Sequence, residues 1–131
     1  MEERRKQPRK DLMSYSQVYD LRDGKLIGYL GDLNLLGGMV ISSQRMEKDS
    51  ELTISIELPE LAGITETTII LPVRVAWCRE DVSPDYFNIG MEFKVVNERQ
   101  KAIINAIMEK YEFKRQIPHY PPRPSEQSLD E

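Results

Sequence analysis

Three arginines near the start of the chain, Arg4, Arg5 and Arg9, and a loop, Asp32-Leu33-Asn34-Leu35-Leu36-Gly37, carry the side chains best suited to chemistry. A guanidinium presents a planar fork of donors that matches two phosphate oxygens at once. The same fork can grip the O6 and N7 edge of guanine, or lie flat on a purine ring. A carboxylate complements the opposite edge of guanine, where it accepts from N1–H and the exocyclic amine together. Asp32 has that chemistry. Asn34, two positions on, both donates and accepts, and in extended chain the two side chains point the same way. Gly37 and Gly38 let backbone approach a ligand closely or take positive φ. Together these groups suit a ligand that contains guanine and phosphate.

Catalytic arrangements find little support. His119 is the only histidine and falls among prolines near the end, so a nucleophile–histidine pair would require that segment to fold back. No Cys/His cluster has the spacing of metal ligands, and no Gly-rich phosphate loop precedes a helix. The expectation is a binding protein without enzymatic activity, metal or cofactor. Cys78 is the single cysteine, which excludes an intramolecular disulfide framework and fits a reducing compartment. No apolar run is long enough to span a bilayer, and the charged start lacks the apolar segment of a secretory signal. The expected location is cytoplasmic, without membrane insertion.

The net charge is −4, so no global attraction to nucleic acid is expected. The local distribution differs. Arg4, Arg5, Lys6, Arg9 and Lys10 place five positive charges within seven residues. A basic arm on an acidic protein fits a small anionic partner better than a long polyanion.

The elements that must position these groups read as mainly β. Residues 1–11 form a polar arm, which Pro8 keeps irregular. A strand is expected over Leu12–Leu21, with Met13, Tyr15, Tyr19 and Leu21 facing the core. Asp23-Gly24 signals a tight hairpin turn into a second strand at about residues 25–31. Further strands are expected over 39–43, 51–58, 65–79 and 86–95, with Pro72 marking a bulge or break. In 51–58, Leu52, Ile54, Ile56 and Leu58 alternate with polar residues, the period of a half-buried strand.

The period changes after Asn97. Asn97 and Gln100 form a capping-box pattern, and Ile103, Ile104, Ile107, Met108 and Tyr111 recur at helical spacing. A helix over 98–113 follows, docked on the β-structure by that face. Residues 114–131, rich in proline, serine and acids, read as a disordered or extended tail. The whole is a small closed or nearly closed six-stranded antiparallel barrel (residues 12–113) with a C-terminal helix.

Arg5-x-x-x-Arg9 preceded by Arg4, then a hairpin, then Asp32-x-Asn34-x-x-Gly37, resembles the RxxxR and (D/N)xSxxG motifs of PilZ domains. Val73-Arg-Val-Ala-Trp-Cys-Arg79 and Phe87-Asn-Ile-Gly-Met-Glu-Phe93 look like that family's two closing strands. The similarity covers about residues 4–112 in the right order. The resemblance implies a six-stranded antiparallel barrel that binds cyclic di-GMP, often as an intercalated dimer of the ligand. It implies that Arg4, Arg5 and Arg9 contact phosphates and guanine Hoogsteen edges, that Asp32 reads a guanine amino edge, that Asn34 adds a polar contact and that Gly37 shapes the loop. It also implies that the arm orders on binding and signals to a downstream protein. Asn34 departs from the family's usual serine. Trp77 reads most simply as barrel core or wall, with stacking on a guanine as its functional alternative. Two other hypotheses stand beside the receptor: a PilZ-like interaction scaffold that has lost its ligand, and a small single-strand nucleic-acid binder, which the acidic net charge disfavours.

Overall fold

Alternating apolar residues build most of the molecule, as a computed structural model describing residues 11–12 and 16–112 makes visible. In chain order the elements are β1 (Asp11–Leu12), β2 (Gln17–Asp20), β3 (Leu26–Leu33), β4 (Gly37–Ser42), β5 (Glu51–Glu57), β6 (Thr68–Glu80), β7 (Phe87–Phe93), α1 (Glu98–Lys110) and β8 (Tyr111–Glu112). Six strands close into a barrel in the order β2-β3-β4-β7-β6-β5, with β5 pairing back onto β2 and every pairing antiparallel. Closure leaves these strands no open edge. The expected six-stranded antiparallel barrel with one helix is the fold observed.

The inward set is Val18, Leu30, Leu33, Val40, Ile54, Ile56, Leu71, Val73, Val75, Ile89 and Met91, all buried in one cluster. Burying each such side chain contributes roughly 1.5–3 kcal/mol before entropy is counted. The strands alternate in direction. The ends of β3, β5 and β7 and the starts of β2, β4 and β6 therefore share one end of the barrel. α1 leaves β7 at that end, and its Ile103, Ile104 and Ile107 are 1–2% exposed within the same cluster. The helix begins with the expected capping box: Asn97 Oδ1 accepts from the Gln100 amide at 2.8 Å and Gln100 Oε1 from the Asn97 amide at 3.0 Å.

Four local expectations are corrected. The first strand is not continuous from Leu12 to Leu21. Asp11 and Leu12 pair in parallel with Tyr111 and Glu112, β2 starts at Gln17, and Leu21 is a turn residue. Its inward residue is Val18, fully buried, while Tyr19 is half-buried and Leu21 is 49% exposed. A single inward position cannot be placed by parity, and Met13 and Tyr15 lie outside the described residues. The hairpin at Asp23-Gly24 is wider than a two-residue turn: the Asp20 amide donates to Lys25 O, and only Gly24 of the pair has positive φ.

Pro72 breaks nothing. It pairs with Thr53 inside β6, and its carbonyl accepts from Lys94, one residue beyond the end of β7. The nitrogen of a strand residue faces the same side as its carbonyl, so the missing donor falls where the ladder has ended. The helix stops at Lys110 rather than at residue 113, because Tyr111 turns extended (φ −123°) to enter β8. The tail over 114–131 and the arm up to residue 10 lie outside the described residues.

Candidate ligand-binding cleft

Two bulges turn the critical side chains outward. In β3, Leu30 pairs with Val40 and Asp32 with Met39, so Gly31 is the extra residue. One added residue moves everything after it to the other face. Leu30 and Leu33 are buried as a result, and Asp32 emerges on the outer wall. β6 repeats the device. Val75 pairs with Met91 and Trp77 with Gly90, leaving Ala76 extra. Leu71, Val73 and Val75 point in, whereas Trp77 is half-buried on the outer wall.

Asp32 and Trp77 thereby line one open cleft of about 340 Å³, together with Asn34, Gly37, Met39 and Arg74 among others. That volume is at the small end of ligand sites. The floor is the indole of Trp77 lying against Gly90. A Cβ at position 90 would sit 2.2 Å from the ring, so only glycine admits this stacking. The Arg79 guanidinium lies 4.6 Å from the Trp77 ring centroid, a cation–π contact.

The sequence-derived residues divide into groups. Asp32, Asn34 and Gly37 are brought together. Asp32 Oδ1 accepts from the Leu33 amide at 2.9 Å, which fixes the carboxylate's orientation at the strand end. Asn34 is not an outward partner to Asp32 in extended chain. It begins the three-residue turn, and its Oδ1 accepts from the amides of Leu36 and Gly37 at 2.8 and 3.1 Å. A serine hydroxyl can make the same kind of turn, which accounts for asparagine at this position on structural grounds. Gly37 serves close approach rather than positive φ: a Cβ there would meet the Met91 carbonyl oxygen at 2.2 Å. Arg4, Arg5 and Arg9 lie outside the described residues.

Sequence reasoning missed Arg74 and set Trp77 aside. Arg74 Nε and Nη2 donate to Glu92 Oε1 at 3.0 and 2.7 Å, and Nη1 donates to Asp49 Oδ1. Its pKa is raised, chiefly by the hydrogen bond to Glu92. The cleft lining thus sets Asp32 and Glu92 against one guanidinium. A dianionic ligand would need cations from elsewhere. The signal for the first bulge was available, since a glycine inside a strand often marks one. Nothing in the local sequence marked the second.

The chain enters the barrel beside the cleft. The Leu30 amide donates to Ser16 O at 2.8 Å, so the residue preceding β2 flanks the strand that carries Asp32 two positions later. Among the described residues no group of three His, Cys, Asp or Glu side chains could hold a metal. No helix among them is long and apolar enough to cross a membrane.

No curated protein and no solved structure matches the chain. The family model described as PilZ domain matches residues 3–110, a span that takes in the basic segment, the Asp32 hairpin, both bulged strands and α1. On that match, and with the closed barrel it leads one to expect, the chain belongs to the PilZ domain family.

Proposed function

We propose that this protein is a receptor for cyclic di-GMP, the ligand of PilZ domains as a family, and that it binds this nucleotide without turning it over. The observation that carries the reading is the shared cleft: a carboxylate, Asp32, and an aromatic face, Trp77, on the wall of the barrel end where the chain enters. In this reading Asp32 accepts from guanine N1–H and the exocyclic amine. Asn34 presents its Nδ2 donors from a turn that its own oxygen holds, and Gly37 keeps β4 against β7. Arg4, Arg5 and Arg9 supply the positive charge that the cleft lacks, gripping phosphates and Hoogsteen edges as the arm closes over the ligand.

Arm closure is the output, read by a protein partner. The rim it would alter is apolar. Leu36, at the hairpin tip, is 80% exposed and Val95 is 65% exposed, and the Phe93 amide donates to Leu36 O at 2.9 Å. The whole acts in this reading as an adaptor inside the cell.

Calorimetric titration with cyclic di-GMP tests the site. Arg5→Ala, Arg9→Ala and Asp32→Ala are each expected to abolish detectable binding. The two arm variants are expected to change stability by no more than about 0.5 kcal/mol. Undiminished affinity in any of the three would overturn the assignment of that residue. An unresponsive wild-type protein would leave the scaffold reading in its place.

A further inference from the structure

Arg74 lines the cleft with three of its five N–H donors engaged by carboxylates. Glu92 is directly opposite it on β7, and Gly37 is opposite Glu92 on β4, so one row across the barrel wall runs from the hairpin to the ion pair. A second carboxylate comes from the β4–β5 connection. Asp49 donates its amide to Val75 O at 2.7 Å and holds φ at 72°, the one positive value outside glycine among the described residues. Aspartate tolerates that conformation better than most residues, but it is still sparsely populated. The backbone thus holds Asp49 in an unfavourable state beside a guanidinium that already has Glu92.

The engaged donors are those a phosphate would use. The side chains of Arg74, Asp49 and Glu92 are 34%, 68% and 55% exposed, so a ligand can reach them. Ion pairs in such surroundings are held weakly and exchange partners readily. Two carboxylates on Arg74, with Asp32 in the same cleft, give more negative charge than an ion pair needs.

We infer that Arg74 is a phosphate-binding residue of this site and that Glu92 and Asp49 compete with the ligand for it, so that binding exchanges carboxylate for phosphate. The inference rests on the cyclic di-GMP reading and adds to it a barrel-wall contact and its control. Removing a carboxylate then strengthens binding, and it does so only while Arg74 is present.

A double-mutant cycle read by calorimetry with cyclic di-GMP tests this. Arg74→Met keeps the side chain's bulk and is expected to weaken binding about tenfold or more, the worth of a lost charge-assisted hydrogen bond. Glu92→Gln and Asp49→Asn are each expected to tighten it by about three- to tenfold. In the Arg74→Met background, Glu92→Gln should change affinity by less than about twofold. Arg74→Lys, which keeps the charge without the fork, should fall between wild type and Arg74→Met, and thermal melting establishes that each variant folds. Equal tightening by Glu92→Gln with and without Arg74 would reduce its effect to bulk charge and overturn the exchange. Wild-type affinity in Arg74→Met overturns it as well, while leaving an Arg9-dependent receptor intact. A wild-type protein that binds nothing removes both readings.

Discussion

Gly90 matters for what it lacks. The Trp77 indole occupies the space its Cβ would fill, at 2.2 Å, so Gly90→Ala must push the ring off the wall. Trp77 is the only tryptophan, and its fluorescence reports the cleft alone. The substitution is expected to shift the emission toward that of a water-exposed indole and to weaken cyclic di-GMP binding. Unchanged emission would mean the floor is not built on glycine. Asn34 offers a contrasting test. Asn34→Ala removes two hydrogen bonds from the hairpin and should cost about 1–2 kcal/mol in urea unfolding, whereas Asn34→Ser should recover part of it. The proposal of a guanine- and phosphate-containing ligand came from residue types alone, because carboxylate and guanidinium each match few partners, and the cleft does bring Asp32, Asn34 and Gly37 together. Their directions were not readable. Asn34 turned into its own loop, and Arg74 escaped notice because its partners Glu92 and Asp49 are 18 and 25 positions away.

Among elements, α1 was the most readable and β2 the least. A capping box and four apolar residues at helical spacing, Ile103, Ile104, Ile107 and Met108, specify α1 on their own, whereas β2 has only four residues and one buried side chain. The bulges at Gly31 and Ala76 are set by pairing across the barrel; the glycine hinted at the first, whereas a strand read alone cannot reveal the second. Replacing the cap, Asn97→Ala, should destabilise the protein by about 1 kcal/mol, measurable as a lower urea midpoint with an unchanged slope. The helix is also tied to the β5–β6 connection through Arg99, whose Nη2 and Nε donate to both carboxyl oxygens of Glu66 at 2.7 and 2.8 Å. The Arg99 hydrogen bond, foremost, holds the Glu66 carboxyl down to about 2 from an ordinary 4.5. A carboxyl lowered by folding stabilises fully above its unfolded value and loses that contribution as pH falls from 4.5 toward 2. Arg99→Ala should therefore return the Glu66 titration, followed by carbon-13 NMR, to near the ordinary value. It should also flatten the acid limb of the stability curve. A Glu66 titration that stays near 2 in the variant would assign the shift to the local backbone instead.

For the molecule as a whole, the barrel and its helical plug share one core. Ile104 is 1% exposed in the cluster that contains Val73 and Ile89, and Ile104→Ala should cost about 2–5 kcal/mol in a single cooperative transition. Separate unfolding of helix and barrel would contradict a shared core. The overall architecture was readable because six short apolar stretches and one terminal helix have few ways to bury their apolar faces. The cleft was not, since it lies where the hairpin, both bulged strands and the ion pair converge. The parallel rung of β1 and β8 has a consequence of its own. It splices the chain's way in to its way out, Asp11 beside Tyr111, directly after the last turn of the plug. A pull on either strand of that splice loads the other, so force applied at Asp11–Leu12 reaches the helix exit without crossing the barrel.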